Sequence, residues 1–141
     1  IYTLSLHDAL PISFAQTRLV RVIQGSVLDV AVDIRKNSPT FGQHVAVELN
    51  GDNKRQLLVP RGFAHGFIVL EDDTTFAYKV DNYYSPQNDR GISFDDKDLG
   101  IDWILNTDEL NLSAKDKVQP KLCEAKDIFE YGVNYYNDKS N

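Results

Sequence analysis

Cysteine is almost missing from this chain: Cys123 is the only one in 141 residues. No internal disulfide can form and no thiolate cluster can hold a metal, which suits a reducing compartment. Long apolar runs are missing too, since nothing approaches the roughly 18 residues that cross a bilayer. The N-terminus has neither the basic n-region nor the continuous apolar h-region of a secretory signal. These absences predict a cytoplasmic protein without a membrane partner. Positive charge is short, with 15 Lys and Arg against 21 Asp and Glu and a net charge of −6. Without a basic stripe a nucleic-acid partner is not expected. A small anionic ligand stays compatible where local positive charge lines its site. Histidine is limited to His7, His44 and His65, with no His-x-His pair followed by Glu, so neither a metal nor another cofactor is expected. No internal repeat is visible.

What is present is alternation. In Val27–Ile34, residues Leu28, Val30, Val32 and Ile34 share one face, and Val27, Asp29, Ala31 and Asp33 take the other. Val45, Val47 and Leu49 alternate within His44–Leu49, as do Phe76, Tyr78 and Val80 within Thr75–Val80. Period two with β-branched and aromatic residues predicts strands. Turn residues separate them at Gln24-Gly25-Ser26, Gly51-Asp52-Asn53, Glu71-Asp72-Asp73 and Ser85-Pro86. Short strands at this spacing, with no helical pattern between them, predict one antiparallel all-β sandwich or barrel. The C-terminal part differs: Ser113-Ala114-Lys115-Asp116 fits a capped helical turn, and Leu122–Tyr136 fits a short helix. Residues 137–141 are polar and expected to fray.

The first thirteen residues, IYTLSLHDALPIS, match neither the strand rhythm nor a targeting signal. They resemble the in-frame translation of a DNA-sequencing adapter, so natural sequence is expected to start near Phe14. On that reading His7 has no chemical role. The alternative is a genuine, irregular N-terminal arm.

From about Phe14 to Phe129 several stretches stand in a specific order. They are Arg18-Leu-Val-Arg21, Val27-Leu-Asp-Val-Ala-Val-Asp-Ile-Arg35, Ser38-Pro-Thr-Phe-Gly42, Pro60-Arg-Gly-Phe-Ala-His-Gly-Phe67, Asn82-Tyr-Tyr-Ser-Pro86 and Leu112-Ser-Ala-Lys-Asp116. In this order and spacing the chain closely resembles the dTDP-4-dehydrorhamnose 3,5-epimerase family. The resemblance implies a metal-free cupin-type jelly-roll barrel, usually a homodimer, acting on a dTDP-4-keto-6-deoxy sugar in dTDP-L-rhamnose formation. Residues 14–136 would be a partial cupin domain. Inverting C3 and C5, both α to the C4 ketone, requires a base near neutral pKa, an orienting carboxylate, a proton donor and positive charge near the enolate oxygen.

The resemblance places the proton donor at Tyr78. A phenol with a free pKa of about 10 gives up its proton only where neighbours stabilise the phenolate. On pattern alone Tyr78 is equally a core tyrosine. Asp116 matches the carboxylate that orients the family's catalytic histidine, while locally Ser-x-x-Asp also reads as a helix-capping pair. Lys115 and His65 match substrate-contacting positions, His65 one that helps polarise the C4 carbonyl; alone, they read as a solvated lysine and a structural histidine. Arg18 stands where the family usually has a Lys that reaches the sugar, and its planar head makes the exchange non-neutral. Tyr84 matches an aromatic that stacks on thymine, and Asp89 an acid near the nucleotide, one methylene shorter than the usual Glu. Asp29 points into the site or pairs with an arginine.

One family element is not found. The base sits in an Arg-Gly-Leu-His motif upstream, with arginines and a Gln-Asp-Asn motif for the nucleotide, and this sequence contains none of them. An N-terminally truncated, inactive polypeptide of an active parent is therefore expected. A related 3-epimerase, 5-epimerase or ketoisomerase is the nearest alternative. A non-catalytic sugar-nucleotide-binding cupin is another, and a purely structural barrel a third, disfavoured if Tyr78, His65, Lys115 and Asp116 gather around one cavity.

Overall fold

A computed structural model of the chain describes residues 4–9, as backbone, and residues 14–137. The remainder of the expected N-terminal segment (1–3 and 10–13) and residues 138–141 of the expected frayed tail lie outside the described residues. Eight strands form: β1 (Leu4–Ala9), β2 (Arg18–Gln24), β3 (Ser26–Asp33), β4 (His44–Asn50), β5 (Gln56–Val59), β6 (Phe63–Val69), β7 (Thr75–Val80) and β8 (Asp89–Gly91). They make two antiparallel sheets, one ordered β4-β3-β6-β1-β8 and the other β5-β2-β7. This is the antiparallel all-β arrangement that the alternation implies, in the form of the jelly-roll barrel that the family resemblance implies.

Strand β3 explains why the layers stack as they do. Both of its faces are buried along its whole length, so each row of its alternation needs its own cover. Leu28, Val30 and Val32 join Ile34, Ala64, Ile68, Ile92, Trp103 and Phe129 in a core on the outer side of the five-stranded sheet. Val27 packs with Val20, Val22 and Leu49 between the two sheets. Each such buried Val or Leu contributes about 1.5–3 kcal/mol relative to exposure. The second polar residue of the inner row, Asp33, is buried but fully engaged: Arg35 approaches it at 2.9 and 2.8 Å, and Ser38 and Thr40 hydroxyls each donate at 2.6 Å.

The C-terminal part departs from its sequence pattern. Leu122–Tyr136 yields only one 3-10 turn, Leu122–Glu124, followed by irregular chain. A helix there would carry Phe129 and Tyr135 to places where they cannot both reach the outer core. Asp127 (φ 58°) and Gly132 (φ 84°) instead take left-handed conformations, and the two rings meet edge to face at 4.8 Å. The capped turn at Ser113–Asp116 does form: the Ser113 hydroxyl donates to the Asp116 carboxylate at 2.5 Å and accepts its backbone N–H at 3.2 Å, leading into the 3-10 turn Asp116–Val118.

Strand β1 is the other departure. The stretch without strand rhythm is extended and paired on both sides, Leu4 to His7 with Ile68 to His65 of β6, and His7 to Ala9 with Gly91 to Asp89 of β8. Backbone pairing is sequence-tolerant, and the gap between β6 and β8 offers two sets of ladder partners at once. Among the described residues, no helix is long and apolar enough to cross a membrane.

Candidate active site between the sheets

The period-two geometry of β2, β6 and β7 aims one row of each strand into the space between the sheets. Arg18 of β2, His65 and Phe67 of β6, and Phe76, Tyr78 and Val80 of β7 line a cavity of about 430 Å³. Gln16, Tyr84 and Asp89 complete its wall. An aromatic row runs across it, with Phe67 and Phe76 rings 4.5 Å apart and Phe76 and Tyr78 rings 6.3 Å apart. Tyr78 faces the cavity as the alternation predicts, yet it is 63% exposed, because β7 is an edge strand and the cavity opens at its side.

At the cavity base lies a carboxylate–imidazole pair. Asp29 stands on β3 two positions diagonally from His65 on β6, on the same face, since Ala31 is the residue paired with His65. His65 Nε2 is 2.7 Å from Asp29 Oδ1. Asp29 is fully buried, and its Oδ2 has no hydrogen-bond partner among the described residues. Burial pushes the Asp29 carboxyl above its ordinary value, only partly opposed by the hydrogen bond and charge of His65 and by the charge of Arg18. Of the two options open in the sequence, Asp29 therefore joins the site through His65. Such a contact fixes the imidazole's orientation.

At the rim, the Tyr84 hydroxyl donates to Asp89 Oδ2 at 3.3 Å, and the Lys115 ammonium forms an ion pair with the same oxygen. Lys115 thus reaches the site through Asp89 and is not itself part of the cavity wall. Asp116 is buried but does not line the cavity either, being held by Ser113 in its turn. Five residues singled out in the sequence, Arg18, His65, Tyr78, Tyr84 and Asp89, thus share one cavity; Asp29 and Lys115 adjoin it, and Asp116 is not in its wall. Of the four residues whose gathering would weigh against a purely structural barrel, Tyr78 and His65 line the cavity from opposite sheets, Lys115 reaches it only through Asp89, and Asp116 lies outside its wall.

One residue of the cavity wall escaped the sequence reading. Gln16 lines the cavity, and its signal is parity, two positions before Arg18 along extended chain. β1 sets the backbone of His7 opposite both His65 and Gly91. The same strand runs beside the turn that carries Asp116.

Comparison with known proteins agrees with this geometry. The family model described as dTDP-4-dehydrorhamnose 3,5-epimerase matches residues 5–124, and so includes most of β1. The chain is 57% identical over 112 residues to the dTDP-4-dehydrorhamnose 3,5-epimerase of Shigella flexneri, covering 79% of this chain and 61% of that protein. It is 50% identical over 118 residues to that of Sinorhizobium fredii, covering 84% and 60%. The chain therefore spans about 60% of the length of these curated relatives. Among solved structures, a dTDP-6-deoxy-D-glucose-3,5-epimerase from Legionella pneumophila in complex with dTDP-4-keto-L-rhamnose superimposes with a TM-score of 0.87 at 44% identity, over 93% of this chain and 70% of that one. A 3'-monoepimerase from Streptomyces bikiniensis in complex with dTDP-quinovose gives 0.79 at 27% identity, over 93% and 71%. With ordered motifs, two-sheet barrel and family model all coinciding over most of its length, this chain belongs to the dTDP-4-dehydrorhamnose 3,5-epimerase family.

Proposed function

We infer that the whole protein inverts C3 and C5 of a dTDP-4-keto-6-deoxy sugar, giving dTDP-4-dehydro-L-rhamnose. The observation that carries this reading is the convergence of Tyr78, His65 and Arg18 on one cavity between the sheets. A base removes the proton α to the ketone, the charge moves to the C4 oxygen as an enolate, and an acid returns a proton to the opposite face. Tyr78 is the proton donor in this scheme, and its open edge position leaves room for a sugar ring against it. Arg18 and His65 stabilise the enolate oxygen, with Asp29 holding the imidazole in one orientation. Tyr84 and Asp89, with Lys115 behind them, serve the nucleotide end. Asp116 orients the base. No step in this scheme requires a metal or an organic cofactor.

The 141-residue polypeptide alone contains no Arg-Gly-Leu-His. Without the base, its turnover is expected to fall by about 10²- to 10⁴-fold relative to a chain of the relatives' length. The register of β1 favours a second reading, in which His7, opposite His65 and beside the Asp116 turn, supplies an imidazole. Deuterium incorporation at C3 and C5 of the 4-keto sugar nucleotide in D₂O decides between them. Background-level exchange supports the first reading. Exchange that disappears in His7→Ala supports the second. Exchange at full rate that survives His7→Ala would contradict the assignment of roles altogether.

The likeness to a 3'-monoepimerase makes a single-site epimerase the competing specificity, and the same spectra test it: label at C3 alone favours that reading. We further propose a homodimer. The face of the three-stranded sheet turned away from the cavity exposes Leu58 (61%) and Ile23 (53%), beside Arg21 and Lys79, an apolar patch that a second copy would cover. Light scattering giving a monomer mass at micromolar concentration would contradict it.

A further inference from the structure

The family match ends at residue 124, but the chain past it is firmly built into the fold. Lys36 N–H donates to the Phe129 carbonyl at 2.7 Å, and Tyr131 N–H to the Lys36 carbonyl at 2.9 Å. Phe129 is fully buried, and Tyr135 nearly so. Two anchors thus fix this segment before it reaches Tyr136.

At Tyr136 the segment meets the cavity wall from behind. The Tyr136 hydroxyl accepts from the backbone N–H of Arg61 at 3.2 Å and from the Thr17 hydroxyl at 3.3 Å. The Arg61 guanidinium lies 5.0 Å from the Tyr136 ring centre, donates to the Tyr135 carbonyl at 2.5 Å, and pairs with Asp81 at 3.3 Å. Asp81 in turn accepts the Thr17 backbone N–H at 2.7 Å. The loop joining β5 to β6, the lead-in to β2 and the exit of β7 are therefore tied at one point. On the cavity side of that knot, Gln16 donates to the Asn82 carbonyl at 2.8 Å, and Asn82 donates to the Ala15 carbonyl at 3.2 Å. Gln16 and Arg18 flank Thr17 and both line the cavity.

We propose that Tyr136 and Arg61 are positioning residues, a C-terminal strap that holds Thr17 against Asp81 and thereby fixes Gln16 and Arg18 in the ligand-binding wall. The reason is mechanical. Along an extended strand neighbouring side chains point to opposite faces, so a restraint on Thr17 from outside sets the placement of residues 16 and 18 inside. The strap touches no substrate and acts only through the backbone it pins. Its proposed consequence for ligand binding rests on the sugar-nucleotide reading of the cavity.

The test uses the 141-residue chain with Tyr136→Phe, which removes one hydroxyl from a half-exposed ring, and Arg61→Lys, which keeps the charge but loses the planar fork. Amide hydrogen exchange at Thr17 and Arg18, the melting temperature and dTDP affinity by calorimetry are measured together. The expected result for both variants is faster exchange at Thr17 and Arg18 and a dTDP affinity lower by about 3- to 10-fold, the range for one hydrogen bond. In Tyr136→Phe these come with little change in melting temperature. Lowered melting with unchanged exchange at those two amides and unchanged affinity overturns the proposal. If the unsubstituted chain fails to bind dTDP, the sugar-nucleotide reading falls while the exchange arm still decides the strap: faster exchange supports it, and unchanged exchange overturns it.

Discussion

Tyr78 and Asp29 show how differently two site residues are constrained. Tyr78 sits on an open edge with solvent on one side, so its role depends on what binds beside it. In a chain of the relatives' length, Tyr78→Phe removes the hydroxyl proposed as the donor but keeps the ring beside Phe76. Epimerisation is expected to fall by about 10²- to 10⁴-fold with little change in substrate KM; an unchanged kcat would remove Tyr78 from proton transfer. Asp29 is the opposite case, sealed and paired. Its raised folded-state value carries a sign: the folded state binds the proton more tightly, so this group's contribution to stability is lost as pH rises above the ordinary carboxylate range. Asp29→Asn removes that titration and leaves His65 with a neutral partner. In a chain of the relatives' length the variant should lose activity, read by turnover, without the large destabilisation expected from an unpaired buried charge, read by chemical denaturation across pH 4–8. Arg18, His65 and Tyr84 were legible from motif order. Gln16 was not, since its parity with Arg18 marks a shared face only once the neighbouring strands define a cavity.

At the scale of elements, strand β3 and the turn after it set the frame. Burial alone would raise the Asp33 carboxyl, but hydrogen bonds from Arg35, Ser38 and Thr40 outweigh it and hold that carboxyl far below the usual carboxylate range. The unfolded chain therefore takes up this proton first, and the stabilisation, present above about pH 4, is lost as pH falls below it. Asp33→Asn should cost about 2–4 kcal/mol near neutral pH and flatten the acid side of the stability profile. An unaltered acid limb would assign acid sensitivity elsewhere. Gly62 belongs to the same frame. It has φ 91°, and an added Cβ would lie 2.8 Å from Arg35 Cγ, so Gly62→Ala should destabilise by at least about 1 kcal/mol, measurable by urea denaturation.

The same scale explains what the sequence could and could not convey. β3, β4 and β7 were readable within a residue because each carries a period-two alternation of β-branched or aromatic residues, although only in β3 are both rows buried. The tail was misread because its apolar residues answer to one distant core, where Phe129 and Tyr135 must meet, and not to a local helical face. β1 was not legible for the converse reason: it pairs with ladder positions of β6 and β8, to which its own side-chain pattern gives no guide.

For the whole molecule, the two sheets enclose one cavity whose wall is assembled from β2, β6, β7 and the segment leading to β8, with β3 beneath it. No single motif makes the site; the closure of the barrel does. This is why the ordered motifs were informative together and weak apart. The outer core, with Trp103 anchored by its indole N–H to the Phe94 carbonyl at 2.9 Å, leaves the space between the sheets free for ligand. The central claim is that this space receives a dTDP-4-keto sugar with its ring against Tyr78 and its base toward Tyr84. Titration of the 141-residue chain with dTDP, followed by amide and aromatic NMR shifts, tests it most directly. The account predicts saturable shifts centred on Arg18, His65, Tyr78, Tyr84 and Asp89, weakened by Arg18→Ala. Shifts confined to other surfaces, or none at millimolar dTDP, would contradict it.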